Sequence, residues 1–169
     1  LCITFGTAGT GGFGIKNSSI AGYSTYIQVI VTIFMILFGI NFNVYFLLLT
    51  RKFTQAFKHE EVRYYLGIIA FSTIIIALNT KHLFQNIGTA FQQSAFQVGS
   101  IITTTGYSTT DFNQWPALSK TILVLLMFIG ACAGSTGGGF KVSRLIILCK
   151  TARKELKKRK AIHSLLEDV

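Results

Sequence analysis

Long apolar runs alternate with short polar ones along this chain, and the apolar runs have membrane dimensions. Tyr26 to Thr50 is a run of 25 residues interrupted by Gly39 and Asn41. At about 1.5 Å of rise per residue, that length crosses a bilayer with some tilt to spare. A glycine and an asparagine at membrane depth predict local unwinding, or a polar side chain facing the interior. Tyr64 to Asn79 is a second run of 16 residues, rich in Ile. It is short for a span, so its helix should begin a turn earlier and end near Lys81. Leu83 to Ile102 places Phe84, Ile87, Phe91, Ala95, Val98 and Ile102 at helical spacing and carries no charge. It is too polar to face lipid throughout and too apolar for water, which predicts a re-entrant pore helix packed inside protein. Leu118 to Ile129 is half a span. Gly130-Ala131-Cys132-Ala133-Gly134-Ser135-Thr136-Gly137-Gly138-Gly139 follows, and the apolar run resumes over Phe140 to Cys149. Three consecutive glycines oppose helix by about 1 kcal/mol each relative to Ala. The sequence thus predicts a broken membrane helix. Lys150 to Lys160 reads as a basic helix, with 161–169 frayed.

The polar connectors contain a repeat. Gly9-Thr10-Gly11-Gly12-Phe13-Gly14 and Thr103-Thr104-Thr105-Gly106-Tyr107-Ser108 each precede a polar stretch and then an apolar one. An offset of 94 positions lays Gly12 on Gly106, Phe13 on Tyr107 and Phe34 on Phe128. Residues 1–8 read as the end of a pore helix, and Lys16 to Ser24 as an outer connector. The predicted fold is an all-α membrane protein of M1–pore loop–M2 repeats, with re-entrant pore helices and a broken M2 helix. Residues 1–50 would hold the end of a pore helix, a filter loop and M2 of one repeat. Residues 51–63 form a basic cytoplasmic loop, and 64–149 a complete repeat with a gating loop at 130–139. Residues 150–169 form a basic cytoplasmic tail.

Composition and charge agree with a membrane setting. Of the 169 residues, 50% are hydrophobic and 13% charged, against about 25% charged in a soluble domain. The net charge of +10 is concentrated in Arg51 to Arg63 and Lys150 to Lys160, each directly after an apolar span. The positive-inside rule makes both clusters cytoplasmic and both loops external, which accounts for the basic tail without a nucleic-acid partner. The sequence begins at Leu1 with no signal-peptide pattern, and we read it as an internal piece of a longer chain. Trp115 falls where an interfacial aromatic anchor is expected, and Pro116 suits a first helical turn.

The repeated loops carry the candidate chemistry. A dehydrated cation recovers its lost hydration from rings of backbone carbonyls, without fixed charge that would trap it. Thr10, Gly11, Gly12 and Phe13 supply candidate carbonyls in the first loop; Thr104, Thr105, Gly106 and Tyr107 do so in the second. Gly12 and Gly106 allow the positive φ such a strip needs, and Phe13 and Tyr107 are expected to wedge the loops against neighbouring helices. Gly134, Ser135, Thr136, Gly137, Gly138, Gly139 and Lys141 form the candidate gating loop, since irregular backbone at membrane depth must line a cavity or lie buried in protein. A small-residue helix-packing face is the alternative there. Lys141 and Arg144 either snorkel to the inner interface, or Lys141 helps tune cation passage or hold the loop. Asp111 either attracts cations or caps a local turn. Cys2, Cys132 and Cys149 lack metal-ligand spacing and read as buried small hydrophobes; His59, His82 and His163 are scattered, with no ligand role. Gly9-x-Gly11-x-x-Gly14 imitates a dinucleotide fingerprint, but the first acidic residue is Glu60. Gly139 and Lys141 are separated by Phe140, which rules out a P-loop.

At Thr10-Gly11-Gly12-Phe13, Thr103-Thr104-Thr105-Gly106-Tyr107 and the stretch from Gly130 to Lys141, the chain resembles the Trk/Ktr/HKT superfamily of potassium transporters, closest to its bacterial TrkH-type subunits. The resemblance spans essentially the whole chain. It implies four M1–pore–M2 repeats around one pore, of which this chain holds the filter and M2 of the second and all of the third. It implies potassium as the transported ion, coordinated by the filter carbonyls, with no cofactor. It also implies a multi-pass protein of the bacterial inner membrane, a homodimer, a cytosolic nucleotide-binding regulatory subunit, and the missing repeats of the same polypeptide as partners beside the lipid bilayer. The implied function is potassium uptake and not enzyme chemistry. A non-conducting membrane scaffold and a membrane-embedded enzyme using Asp111, His82 or Cys132 are the alternatives.

Overall fold

The apolar runs become helices that end where the sequence supplies breakers. The computed structural model describes residues 1–167, with the side chains of all of these except Phe57 and residues 160–167. In order the helices are α1 (Cys2–Ala8), α2 (Thr25–Phe38), α3 (Phe42–Leu49), α4 (Phe53–Phe57), α5 (Glu60–Thr80), α6 (Ile87–Ile102), α7 (Ala117–Phe128) and α8 (Val142–Glu167). Short 3₁₀ turns at Lys81–Leu83 and Phe112–Gln114 join them. Among the described residues, the nearest thing to a sheet is an isolated parallel bridge between Ile129 and Phe140.

Residues 60–83 form the one described helical stretch long and apolar enough by itself to cross a membrane. It begins one turn before Tyr64, as the short apolar run requires. The 25-residue run does not stay straight. Gly39 and Asn41 break it, and α2 and α3 meet at 90°. The bend is capped locally: Asn41 Oδ1 accepts the Asn43 N–H at 2.9 Å. It is packed from outside by Tyr65, which is fully buried and donates to the Ile36 carbonyl at 3.2 Å. A Cβ on Gly39 would collide with the Tyr65 hydroxyl, so the break needs glycine for space.

α5 and α6 form the centre of the molecule, with α2, α7 and α8 around them. Tyr65, Ile69 and Ile76 of α5 pack with Val98 and Ile102 of α6 and Leu123 and Leu126 of α7. α6 departs from the expected stripe. Ile87 and Phe91 are exposed, while Phe96, Gln97, Val98, Gly99 and Ser100 are all buried. Its C-terminal half is therefore enclosed on every side, not amphipathic. Trp115 is 4% exposed and belongs to this core, which corrects its reading as an interfacial anchor. Pro116 is the N-cap of α7, one position ahead of the first turn. α8 continues through Glu167, past the expected fraying point, and residues 168–169 lie outside the described residues. Cys132 is buried, but Cys2 and Cys149 are exposed, unlike the buried hydrophobes expected.

A large apolar surface faces outward. Phe46, Phe71, Leu78 and Phe128 are each more than 60% exposed. An apolar surface this extensive marks lipid or protein contact, not water.

Candidate functional site

The two candidate filter loops, 9–14 and 103–108, share one backbone turn. Both follow a helix C-terminus, α1 or α6, and reuse its last carbonyls in the same way. Gly11 and Gly12 both donate their N–H groups to the Gly6 carbonyl, at 2.9 and 3.4 Å. Thr105 and Gly106 do the same to the Ser100 carbonyl, at 2.9 and 3.3 Å. The left-handed positions also match: Thr10 (φ 50°) with Thr104 (58°), and Gly12 (66°) with Gly106 (84°). A threonine in that region is uncommon and disfavoured by its branched Cβ, so the same strain at matched positions reflects one shared turn.

Their surroundings differ. A Cβ on Gly12 would overlap the Thr105 carbonyl oxygen, whereas Gly106 has open space where its Cβ would be. Thr105 is buried and shares a 2.7 Å hydrogen bond with Thr103 Oγ1, while Gly11, its counterpart, is exposed. Tyr107 is buried, and its hydroxyl donates to the Phe13 carbonyl at 3.1 Å and the Ile3 carbonyl at 3.3 Å. It wedges the second loop against α1, as expected. Phe13 does not wedge anything: it is 76% exposed. Further bonds join the two strands, from Ile20 N–H to the Ser108 carbonyl and from Ser108 N–H to Ser19 Oγ, both 3.2 Å.

The glycine-rich loop lies against both candidate filter loops and against the α2–α3 break. Thr10 Oγ1 shares its proton between the Gly9 carbonyl (2.8 Å) and the Thr136 carbonyl (2.9 Å). Gly138 donates its N–H to Thr104 Oγ1 at 2.7 Å. Gly137 is buried, and a Cβ there would crowd Ala131 and the Thr103 carbonyl. Gly134 and Gly139 take positive φ, 68° and 74°. Ser135 Oγ donates to the Cys132 carbonyl at 2.6 Å, closing the turn at the start of the loop. The broken helices satisfy each other: Cys132 N–H donates to the Gly39 carbonyl, Phe42 N–H to the Gly134 carbonyl, and Thr136 Oγ1 to the Phe38 carbonyl. Such pairing is what non-helical backbone away from water demands. The loop is therefore no simple packing face for small residues.

Lys141 Nζ donates to the Gly137 carbonyl and folds back over the loop instead of snorkelling. Arg144 is exposed. Asp111 caps the turn at 112–114, accepting the Asn113 N–H at 3.0 Å. The sequence reading missed Glu61. It sits in the first turn of α5, 6% exposed, and its Oε1 accepts the Ala133 N–H at 2.6 Å and the Ser143 N–H at 3.2 Å. The signal available was weak: an acidic residue at the edge of a strongly basic loop. Among the described residues, no cluster of His, Cys, Asp or Glu is arranged to hold a metal ion.

Known proteins resemble this chain in sequence and in fold. The family model for TrkH, a cation transport protein, matches residues 1–166. The Trk system potassium uptake protein TrkH of Escherichia coli K12 is 34% identical over 160 residues, covering 92% of this chain and 33% of that protein. An uncharacterized cation transporter of Methanocaldococcus jannaschii is 31% identical across 100% of this chain and 35% of its own length. The crystal structure of the potassium transporter TrkH from Vibrio parahaemolyticus superposes with a TM-score of 0.82 at 33% identity, over 92% of this chain and 34% of that one. The chain thus spans about a third of the length of these relatives. With its fold, its paired loops and these matches together, the chain belongs to the TrkH family of cation transport proteins.

Proposed function

We propose that this chain contributes two of the filter strands, and the gate, of a potassium uptake protein in a bacterial inner membrane. The observation that carries the proposal is the matched left-handed turn at 10–12 and 104–106. A strip of consecutive carbonyls facing one axis requires such turns, and two equivalent strips are what a pore built from repeats needs. The relatives' names supply the ion: they are potassium uptake proteins. Potassium would be held by the carbonyls of Thr10, Gly11, Gly12 and Phe13 and of Thr104, Thr105, Gly106 and Tyr107. It would then pass the loop from Gly134 to Gly139 with Lys141.

In this reading α1 and α6 are re-entrant pore helices and α5 is an M1 helix. The α2–α3 pair and the α7–α8 pair are two broken M2 helices. Residues 1–50 belong to one repeat and 64–149 to the next, with the filter loops external. The basic segments 51–63 and 150–169 are cytoplasmic, where they would meet a nucleotide-binding regulatory subunit. The remaining repeats complete the pore, and two such polypeptides form the transporter. Ions move down their electrochemical gradient, with no bond made or broken.

The test is growth in low potassium. Cells lacking their own uptake systems would express the full-length protein, wild type or Gly106→Ser, with membrane levels matched. Rescue by wild type, with failure or sodium entry in the variant, supports the carbonyl filter. Equal rescue by both, without sodium entry in the variant, would overturn the carbonyl-filter account; failure of the wild type to rescue would favour a non-conducting scaffold.

A further inference from the structure

We propose that Glu61 positions the glycine-rich loop, its single buried carboxylate stapling both ends of the loop to the base of α5. The inference rests on the gate reading above. A carboxylate 6% exposed is costly to bury unless donors surround it. Here the donors are the loop itself. Ala133 N–H, just before the glycine segment, and Ser143 N–H, just after it, converge on the same oxygen at 2.6 and 3.2 Å. Asn41 Nδ2, from the α2–α3 break, reaches the other oxygen at 3.5 Å. Ser143 lies in the first turn of α8, whose N–H groups have no helical acceptor and carry partial positive charge. Among the described residues the one ion pair is Lys150 with Glu60, and the polar partners of the Glu61 carboxylate are the loop and break donors. Any movement that draws residues 134–141 away from the filter carries off one or both N–H groups and strands the charge. Glu61 therefore resists that movement, and its loss frees the loop.

The test uses the full-length protein in proteoliposomes, measuring potassium and sodium flux in wild type, Glu61→Gln, Glu61→Asp and a variant lacking residues 137–139. Glutamine retains an acceptor oxygen but not the charge, and its amide would face the Asn41 amide donor. The expected result is resting potassium flux about tenfold higher in Glu61→Gln, the size of one charge-assisted hydrogen bond lost. The potassium-to-sodium ratio stays unchanged, and Glu61→Asp lies between. A second readout is independent of flux. Cys132 is buried at the root of the loop, and with the other cysteines replaced, a charged maleimide should label it faster in Glu61→Gln than in wild type. If the deletion raises flux while Glu61→Gln changes neither flux nor labelling, the positioning role is overturned. If the deletion leaves flux unchanged, the gate reading fails instead, and Cys132 labelling alone decides whether Glu61 holds the loop. Should Glu61→Gln not reach the membrane, Glu61→Asp carries the test: an unchanged flux and labelling rate there overturns the proposal.

Discussion

Thr10 and Thr104 stand at equivalent places in two matching turns, both in left-handed backbone, and both bond through Oγ1 to the glycine-rich loop. Thr10 Oγ1 donates to the Thr136 carbonyl at 2.9 Å, and Thr104 Oγ1 accepts from the Gly138 N–H at 2.7 Å. One turn, used twice, grips two points of the same loop. The loop that would gate the pore is thereby in direct hydrogen-bond contact with the strands that would select the ion. A change at either threonine is felt on both sides of that contact.

The hydroxyl of Thr104 can be isolated by comparing two small side chains. Serine and alanine both remove the branched Cβ that left-handed backbone disfavours, so that relief cancels between them. What differs is the acceptor for the Gly138 N–H. Thr104→Ala should be less stable than Thr104→Ser by about 1 kcal/mol, the net worth of one neutral hydrogen bond. Thermal or denaturant unfolding of the purified full-length protein measures this. Identical midpoints for the two variants would mean that the Thr104 contact holds nothing.

Gly12 and Gly106 should respond differently to alanine, although the repeat makes them equivalents. Both pay for a left-handed side chain, about 1–2 kcal/mol. At Gly106 nothing lies within 4 Å of the added carbon, so strain is the whole effect. At Gly12 the carbon would overlap the Thr105 carbonyl oxygen of the neighbouring strand. Backbone cannot yield as a side-chain tip can. Gly106→Ala is expected to reach the membrane near wild-type levels, whereas Gly12→Ala should show sharply reduced folded protein. Fluorescence size-exclusion chromatography of the two variants makes the comparison, and equal recovery would contradict the close approach of the strands.

The contrast between these glycines shows where sequence reading stops. The offset of 94 positions located both loops, because a turn's chemistry is local: a helix end, a threonine and a glycine at fixed spacing. The break at Gly39 and Asn41 was legible for the same reason, since each opposes a straight apolar helix by its own properties. Burial was less legible, because it depends on what packs alongside. Phe13 and Tyr107 occupy matching positions, yet Tyr107 is enclosed and Phe13 lies 76% exposed. Their neighbours differ, and no local pattern encodes that. Trp115 looked like an interfacial anchor from its place beside a polar turn and packed into the core instead. Glu61 was hidden most thoroughly. Its role depends on two N–H groups 72 and 82 residues further along the chain.

Asn41 joins the two breaks, and its substitutions should separate capping from charge. Its Oδ1 caps α3 through the Asn43 N–H, while its Nδ2 donates to Glu61. Serine and aspartate are both good N-caps. Asn41→Ser should therefore keep the cap and cost no more than about 1 kcal/mol for the lost donor. Asn41→Asp keeps the cap too, but sets a second buried carboxylate against Glu61 in place of a donor. Like charges in a poorly solvated site are strongly unfavourable, so the aspartate variant should be clearly the less stable. Unfolding midpoints for the pair decide the matter. Equal values would mean that residue 41 and the Glu61 carboxylate do not interact.

Neighbouring Glu60 provides the control for Glu61. The two are adjacent in sequence and both begin α5, but Glu60 points into solvent, where it pairs with Lys150 Nζ of α8 at 2.5 Å. The two side chains are 59% and 58% exposed. Lys150 acts on the Glu60 carboxyl by hydrogen bond and by charge, yet water and salt screen such a pair, and holding two long side chains in one geometry costs entropy. Glu60→Gln and Lys150→Gln, singly or together, should leave the unfolding midpoint and the resting ion flux essentially unchanged at 150 mM salt. Any small coupling seen at low ionic strength should fade as salt is added. Glu61→Gln should behave in the opposite way, with an effect less sensitive to salt because its carboxylate is 6% exposed and its partners are neutral backbone N–H groups. A salt titration of both series tests this directly. If Glu60→Gln raised flux as much as Glu61→Gln, the α5–α8 contact as a whole would be holding the loop, and the buried carboxylate would have no special part in it.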